Sequence, residues 1–165
     1  MMNIQLYEEI SENDSVNSLI LIFTEGTILG PRNILDHFNH KKYIPIKNCI
    51  KKLEKWQEQG WQISYLTSRR TLKDVNEIKR ILSINRFPGN ILYFRGLGQK
   101  YKDVVEEVLP HILVEDDCFS IGGKWQMSIT YVRPEIKMKI KSIIVKEWHG
   151  IDDLPDVVSE LLNTK

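Results

Sequence analysis

The chain has 165 residues, 42% hydrophobic and 27% charged, with a formal net charge of +1. This is the size of one domain with a real core, and the balanced charge leaves no global field that would favour nucleic acid or a membrane surface. Two distant cysteines, Cys49 and Cys118, argue against a disulfide scaffold or a zinc site; with no basic-then-apolar leader and no apolar run near the ~20 residues that span a bilayer, a cytoplasmic protein is expected.

Residues 1–17 are polar and read as a lead-in, so that 18–165 form a single domain. Leu19–Thr24, which begins as an unbroken apolar run, is the first strand, with the pattern of one buried on both faces. It ends in Glu25-Gly26-Thr27, and Gly26 permits a sharp turn close to a ligand. Residues 28–43, with His37 and His40, show no clear period and read as a loop or small flap. Pro45–Gln59 is an amphipathic helix stopped by Gly60. Trp61–Leu66 is the second strand, followed by Thr67-Ser68-Arg69 and a helix over Thr71–Leu82. Pro88-Gly89-Asn90 is a turn into the third strand, Ile91–Phe94.

A helix runs from about Lys100 to Leu109, where Pro110 ends it, and the fourth strand, Ile112–Val114, leads into Glu115-Asp116-Asp117. Lys124–Val132 alternates weakly, as an edge hairpin would, and Pro134–Lys141 reads as a short basic helix. Ser142–Lys146 is the fifth strand and Asp152–Leu162 a closing helix. Trp56, Trp61, Trp125 and Trp148 are assigned to the core. Strands alternating with helices predict an α/β fold: a three-layer, Rossmann-like parallel sheet of five strands, in the order 3-2-1-4-5, with helices on both faces.

An acid after the first strand, hydroxyls after the second, a lysine opening the next helix and an acid pair after the fourth strand give the motif order of the haloacid dehalogenase-like superfamily, which the chain resembles from about Leu19 onward. Members are mostly magnesium-dependent phosphohydrolases that form an aspartyl-phosphate. The resemblance implies catalytic roles for Glu25 (proton transfer), Thr67 and Lys102, and a phosphate held by Thr67, Ser68, Arg69 and Lys102, with Lys100 as the competitor of Lys102. It implies Mg²⁺, weakly held, on Asp116 with Glu115 and Glu25. The sixteen or so residues after Ile28 are too few for the superfamily's large cap.

The first motif departs from the pattern: Phe23 stands where the nucleophilic aspartate belongs, and a phenyl ring can neither attack phosphorus nor hold a metal. Losing a nucleophile costs about a millionfold in turnover, roughly 8 kcal/mol. The expectation is therefore a degenerate member that binds a small phosphorylated ligand, or a phosphorylated macromolecule, without cleaving it. An active magnesium-dependent phosphohydrolase, a phosphatase or nucleotidase using a non-standard nucleophile or water activated at Glu25, or at Asp116 with Glu115, is the first alternative. A protein-interaction scaffold with a vestigial site is the second. No nucleic-acid or membrane partner is expected, and an open site leaves room for self-association.

Overall fold

The computed structural model describes residues 2–6, 18–36 and 39–164. Its strands are β1 (Met2–Gln5), β2 (Leu19–Phe23), β3 (Leu29–Pro31), β4 (Tyr43–Pro45), β5 (Gln62–Leu66), β6 (Ile91–Phe94), β7 (Ile112–Asp116) and β8 (Lys141–Val145). The helices are α1 (Cys49–Glu58), α2 (Leu72–Ile84), α3 (Tyr101–Val108), α4 (Pro134–Lys137) and α5 (Val158–Asn163). The main sheet runs β1-β6-β5-β2-β7-β8. It has six strands, not five, and its order differs accordingly, because β1 adds an antiparallel edge to β6 with Met2 opposite Phe94. The remaining pairs, β5–β6, β2–β5, β2–β7 and β7–β8, are parallel. His37 and residues 7–17 of the expected lead-in lie outside the described residues.

β2 is central because both its neighbours pair with it and its side chains are covered on both faces. Alternate residues point to opposite sides of a strand. Ile20 and Ile22 therefore enter the larger core, with Leu53 and Trp56 of α1 and Val75 and Ile78 of α2. Leu21 enters the other core, with Val104 and Val105 of α3 and Ile129, and Phe23 packs at its margin. This β-strand order brings the carboxyl ends of β2, β5, β6 and β7 to one rim, the usual ligand edge of an open α/β sheet.

Several elements differ from expectation. Residues 29–45 hold a two-stranded hairpin, β3 with β4, so Pro45 lies in a strand opposite Leu29 and the helix starts later, at Cys49. The hairpin expected over Lys124–Val132 is instead a run of 3₁₀ turns, Phe119–Ile121, Gly123–Trp125 and Ser128–Tyr131. The reason is tertiary: the Glu115 carboxylate accepts the amides of Ser128 and Ile129 at 2.7 and 3.0 Å, which holds the chain in a turn. The closing helix is shorter than expected, because Asp152 is engaged elsewhere, accepting from the Asn48 amide. The basic helix stops at Lys137, and Lys141 already belongs to β8. Of the four tryptophans, Trp56 is fully buried but Trp125 is exposed.

Gly89, before β6, tests the packing of the sheet. Its φ is +92°, and a Cβ there would lie 2.2 Å from the Ile63 carbonyl oxygen. Gly89→Ala should destabilise the protein by more than about 3 kcal/mol. Gly98→Ala, also at positive φ but in open space, should cost about 1 kcal/mol. Paired thermal denaturation curves check the contrast.

Candidate functional site

A cavity of about 470 Å³ opens at the carboxyl rim, lined among others by Phe23, Glu25, Arg69, Arg95, Asp116 and Glu147. Its floor is the turn after β2. The Gly26 amide donates to the Leu29 carbonyl, the Ile28 and Leu29 amides donate to the Thr24 carbonyl, and the Trp148 amide donates to the Gly26 carbonyl. Gly26 has φ +85°, and a Cβ there would lie 2.6–2.9 Å from the Asp116 carboxylate. Only glycine allows β2 and β7 to end so close together.

Glu25 does not project freely into this space. Its Oε1 accepts from the Thr67 hydroxyl at 2.7 Å and from Arg69 Nε at 2.9 Å. Its Oε2 accepts from the Thr24 hydroxyl at 2.6 Å and from the Ser68 amide at 3.0 Å. Burial alone would raise its pKa, but the Arg69 charge and these hydrogen bonds outweigh burial and hold the carboxyl below the usual range. The Thr67 hydroxyl is spent on Glu25 and also accepts from the Arg69 amide at 3.2 Å. Thr67, Ser68, Arg69 and Glu25 are thus brought together, with the carboxylate of Glu25 as the anion at their centre.

Phe23 lines the cavity, packed edge-on against Tyr101 with ring centroids 5.1 Å apart. The Arg95 guanidinium carbon lies 3.6 Å from the Tyr101 ring centroid, and Arg95 Nη2 donates to the Tyr101 hydroxyl at 2.7 Å. Burial pushes the Tyr101 hydroxyl up to about 12, so it stays protonated. The expected lysines are not beside these groups. Lys102 pairs with Asp103 at 2.9 Å and Glu106 at 3.8 Å on the α3 surface, and Lys100 is exposed before the helix. Arg95 at the end of β6 is the cation that reaches the cavity from this side.

The acids divide by strand alternation. Glu115 turns to the α3 side, where both its oxygens hold the backbone of Ser128 and Ile129. Asp116 turns to the other face and the cavity, accepting from the Cys118 amide at 3.0 Å and the Thr27 hydroxyl at 3.3 Å. Burial, with Glu147 nearby, raises its carboxyl to about 6. Asp117 serves the turn, accepting from the amides of Phe119 and Glu147. No three His, Cys, Asp or Glu among the described residues gather to hold a metal ion. Of the expected Asp116, Glu115 and Glu25 set, Glu25 and Glu115 direct both carboxylate oxygens to other donors, while Asp116 faces the cavity.

Sequence reasoning missed Arg70, Arg95, Tyr101, Glu147 and Trp148 among the lining residues. Arg95 and Glu147 had a legible signal: each closely follows an apolar strand, as Arg69 does. Trp148 packs against the larger core as assigned and also lines the cavity, with φ +64°, meeting Tyr43 edge-on at 6.0 Å. His40, assigned to the flap, pairs with Asp74 of α2 at 3.1 Å.

Among solved structures, a chain of the Pnkp1/Rnl/Hen1 RNA repair complex aligns with a TM-score of 0.56 at 13% identity, over 83% of this chain and 45% of that one. This chain therefore spans under half the length of that relative. An uncharacterized protein from Listeria monocytogenes serotype 4b aligns at TM-score 0.51 and 16% identity, over 89% and 99% of the two chains. A class C acid phosphatase from Bacillus anthracis with tungstate bound aligns at TM-score 0.49 and 14% identity, over 91% and 79%. Neither a protein-family model nor a curated protein matches this chain. At these identities the likeness is one of fold. No helix among the described residues is long and apolar enough to cross a membrane.

Two carboxylates of opposite bias give opposite pH signatures. The depressed Glu25 stabilises the fold above the unfolded glutamate's titration near 4.5, and that contribution is lost as pH falls through the lower folded value. Glu25→Gln should therefore cost about 2–3 kcal/mol at pH 7, the scale of a broken buried ion pair. Asp116, raised from 3.8 to about 6, favours the fold below pH 4 and loses that contribution as pH rises through 6. Asp116→Asn should gain about 2 kcal/mol relative to wild type between pH 4 and pH 7. Urea denaturation from pH 7 down to pH 4 measures the Asp116 slope, and its continuation below about pH 4 measures the Glu25 slope; parallel curves for wild type and Asp116→Asn would show the Asp116 carboxyl to be unperturbed.

Proposed function

We propose that this chain is a haloacid dehalogenase-like domain without a large cap, which binds a phosphorylated ligand and does not cleave it. The motif order and the shared fold support the ancestry. The observation that carries the loss of chemistry is Phe23: the ring lies in the cavity wall against Tyr101, at the strand end where the resemblance requires an attacking carboxylate. The neighbouring acid offers no substitute. Glu25 has all its hydrogen-bonding directed at Thr24, Thr67, Ser68 and Arg69, and a carboxyl held below its usual pKa is a poor proton donor at neutral pH. What remains is cationic: Arg69, Arg70 and Arg95 all line the cavity, and guanidinium groups bind phosphate without a metal.

Purified protein should release no phosphate from a broad phosphoester panel, with or without Mg²⁺, while calorimetry detects binding of phosphorylated compounds. Turnover that Asp116→Asn abolishes would replace this reading with hydrolysis by activated water, since Asp116 faces the cavity and is the acid the resemblance assigns to the metal.

A further inference from the structure

Two like-charged pairs of side chains in the cavity lining, Arg70 with Arg95 and Asp116 with Glu147, have no counter-ion among the described residues. Arg70 and Arg95 make no ion pair with a carboxylate among the described residues, whereas Arg69 is paired with Glu25. Arg95 Nε is buried without a hydrogen-bond partner among those residues. Its pKa is lowered by burial and by the nearby Arg70 charge, Tyr101 only partly offsetting them. Opposite in sign are Asp116 and Glu147. Glu147 accepts from the Ser120 amide and hydroxyl at 2.8 and 2.7 Å, and neither acid meets a cation among the described residues. Unrelieved repulsion of like charges costs stability, and such arrangements cluster where a ligand supplies the missing charge.

The phosphate cradle that the resemblance implies is closed to that ligand, because Thr67, the Ser68 amide and Arg69 Nε are spent on Glu25. A simple anion would answer the arginines and be repelled by the acids; a simple cation would do the reverse. We propose, resting on the binding reading above, that the ligand is bipolar: a phosphomonoester whose phosphate is held by Arg70 and Arg95 and whose far end carries an ammonium group held by Asp116 and Glu147. The cavity volume, about 470 Å³, suits a small molecule of this kind.

The test is calorimetric titration with aminoalkyl phosphates of increasing chain length, each matched by the alkyl phosphate of equal length. One aminoalkyl phosphate should bind at least about tenfold more tightly than its amine-free match, the scale of one charge-assisted hydrogen bond. Glu147→Gln should erase that advantage, with the alkyl phosphate bound at least as tightly as by wild type because a repelling charge is gone. Arg95→Gln should weaken both series about tenfold, and so should Arg70→Gln, whose exposed side chain puts little of the fold at risk. Equal affinity of every matched pair, or no binding of either series, overturns the bipolar ligand. Phosphate release from the same probes separates the two claims. Release with the tenfold preference intact overturns the non-cleaving reading and leaves this one standing; equal affinities without release do the reverse.

Discussion

The Glu25 carboxylate organises the rim of the sheet. A buried charge of this kind costs several kcal/mol unless it is paired and hydrogen-bonded. Here Thr24, Thr67, Ser68 and Arg69 together satisfy it. The bonds cross from the end of β2 to the end of β5, so the two strands are tied beyond their last ladder pair, Phe23 with Leu66. Glutamate carries one methylene more than aspartate, which lets a side chain rooted after β2 reach the donors beyond β5. The donors that the resemblance assigns to a bound phosphate therefore surround an anion that belongs to the protein. Arg69 is fixed in orientation by the same contact and presents the rest of its guanidinium to the cavity.

Next along the chain, Gly26 sets the other half of the geometry. Because it has no side chain, the turn can lie against Asp116, and the same turn accepts the Trp148 amide from the segment after β8. Three strand ends are thereby gathered within one cavity wall. The consequence is electrostatic: Asp116 is buried close to Glu147 and titrates well above an ordinary aspartate. Natural sequences tolerate such unfavourable placement chiefly where function requires it. Glu25 and Asp116 flank one glycine and are driven in opposite directions, one fully compensated and one left exposed to a like charge.

The central strands were legible because a strand buried on both faces must be apolar throughout, and Leu19–Phe23 and Ile112–Val114 are. The strand ends that carry Glu25, Thr67-Ser68-Arg69 and Asp116 followed from those runs. β1 was not legible, since a short edge strand with Asn3 and Gln5 has no apolar run to betray it. The turns at 119–131 depend on Glu115 reaching Ser128 and Ile129, a contact between residues thirteen and fourteen apart that no local pattern encodes. Lys102 was misleading for a different reason. Periodicity located the helix start, but it could not show that Asp103 and Glu106 would capture the ammonium. Arg95 obeys the rule already used for Arg69: it follows an apolar strand directly.

Phe23 and Arg95 meet through Tyr101. A carboxylate at position 23 would lie beside the Tyr101 ring, in the same wall as the Arg95 guanidinium, and the two charges would attract. With a phenyl ring there, Tyr101 receives an apolar edge contact on one side and stacks with Arg95 on the other. The guanidinium is then left without an anion inside the protein. In a metal-dependent phosphohydrolase, carboxylates hold a divalent cation and that cation neutralises the phosphate. Here Glu25 and Glu115 direct both their oxygens into hydrogen bonds, Asp116 faces the cavity, and arginine charges stand around the same space. On the binding reading proposed above, guanidinium groups standing where a hydrolase keeps its metal would attract phosphate while supplying no attacking atom.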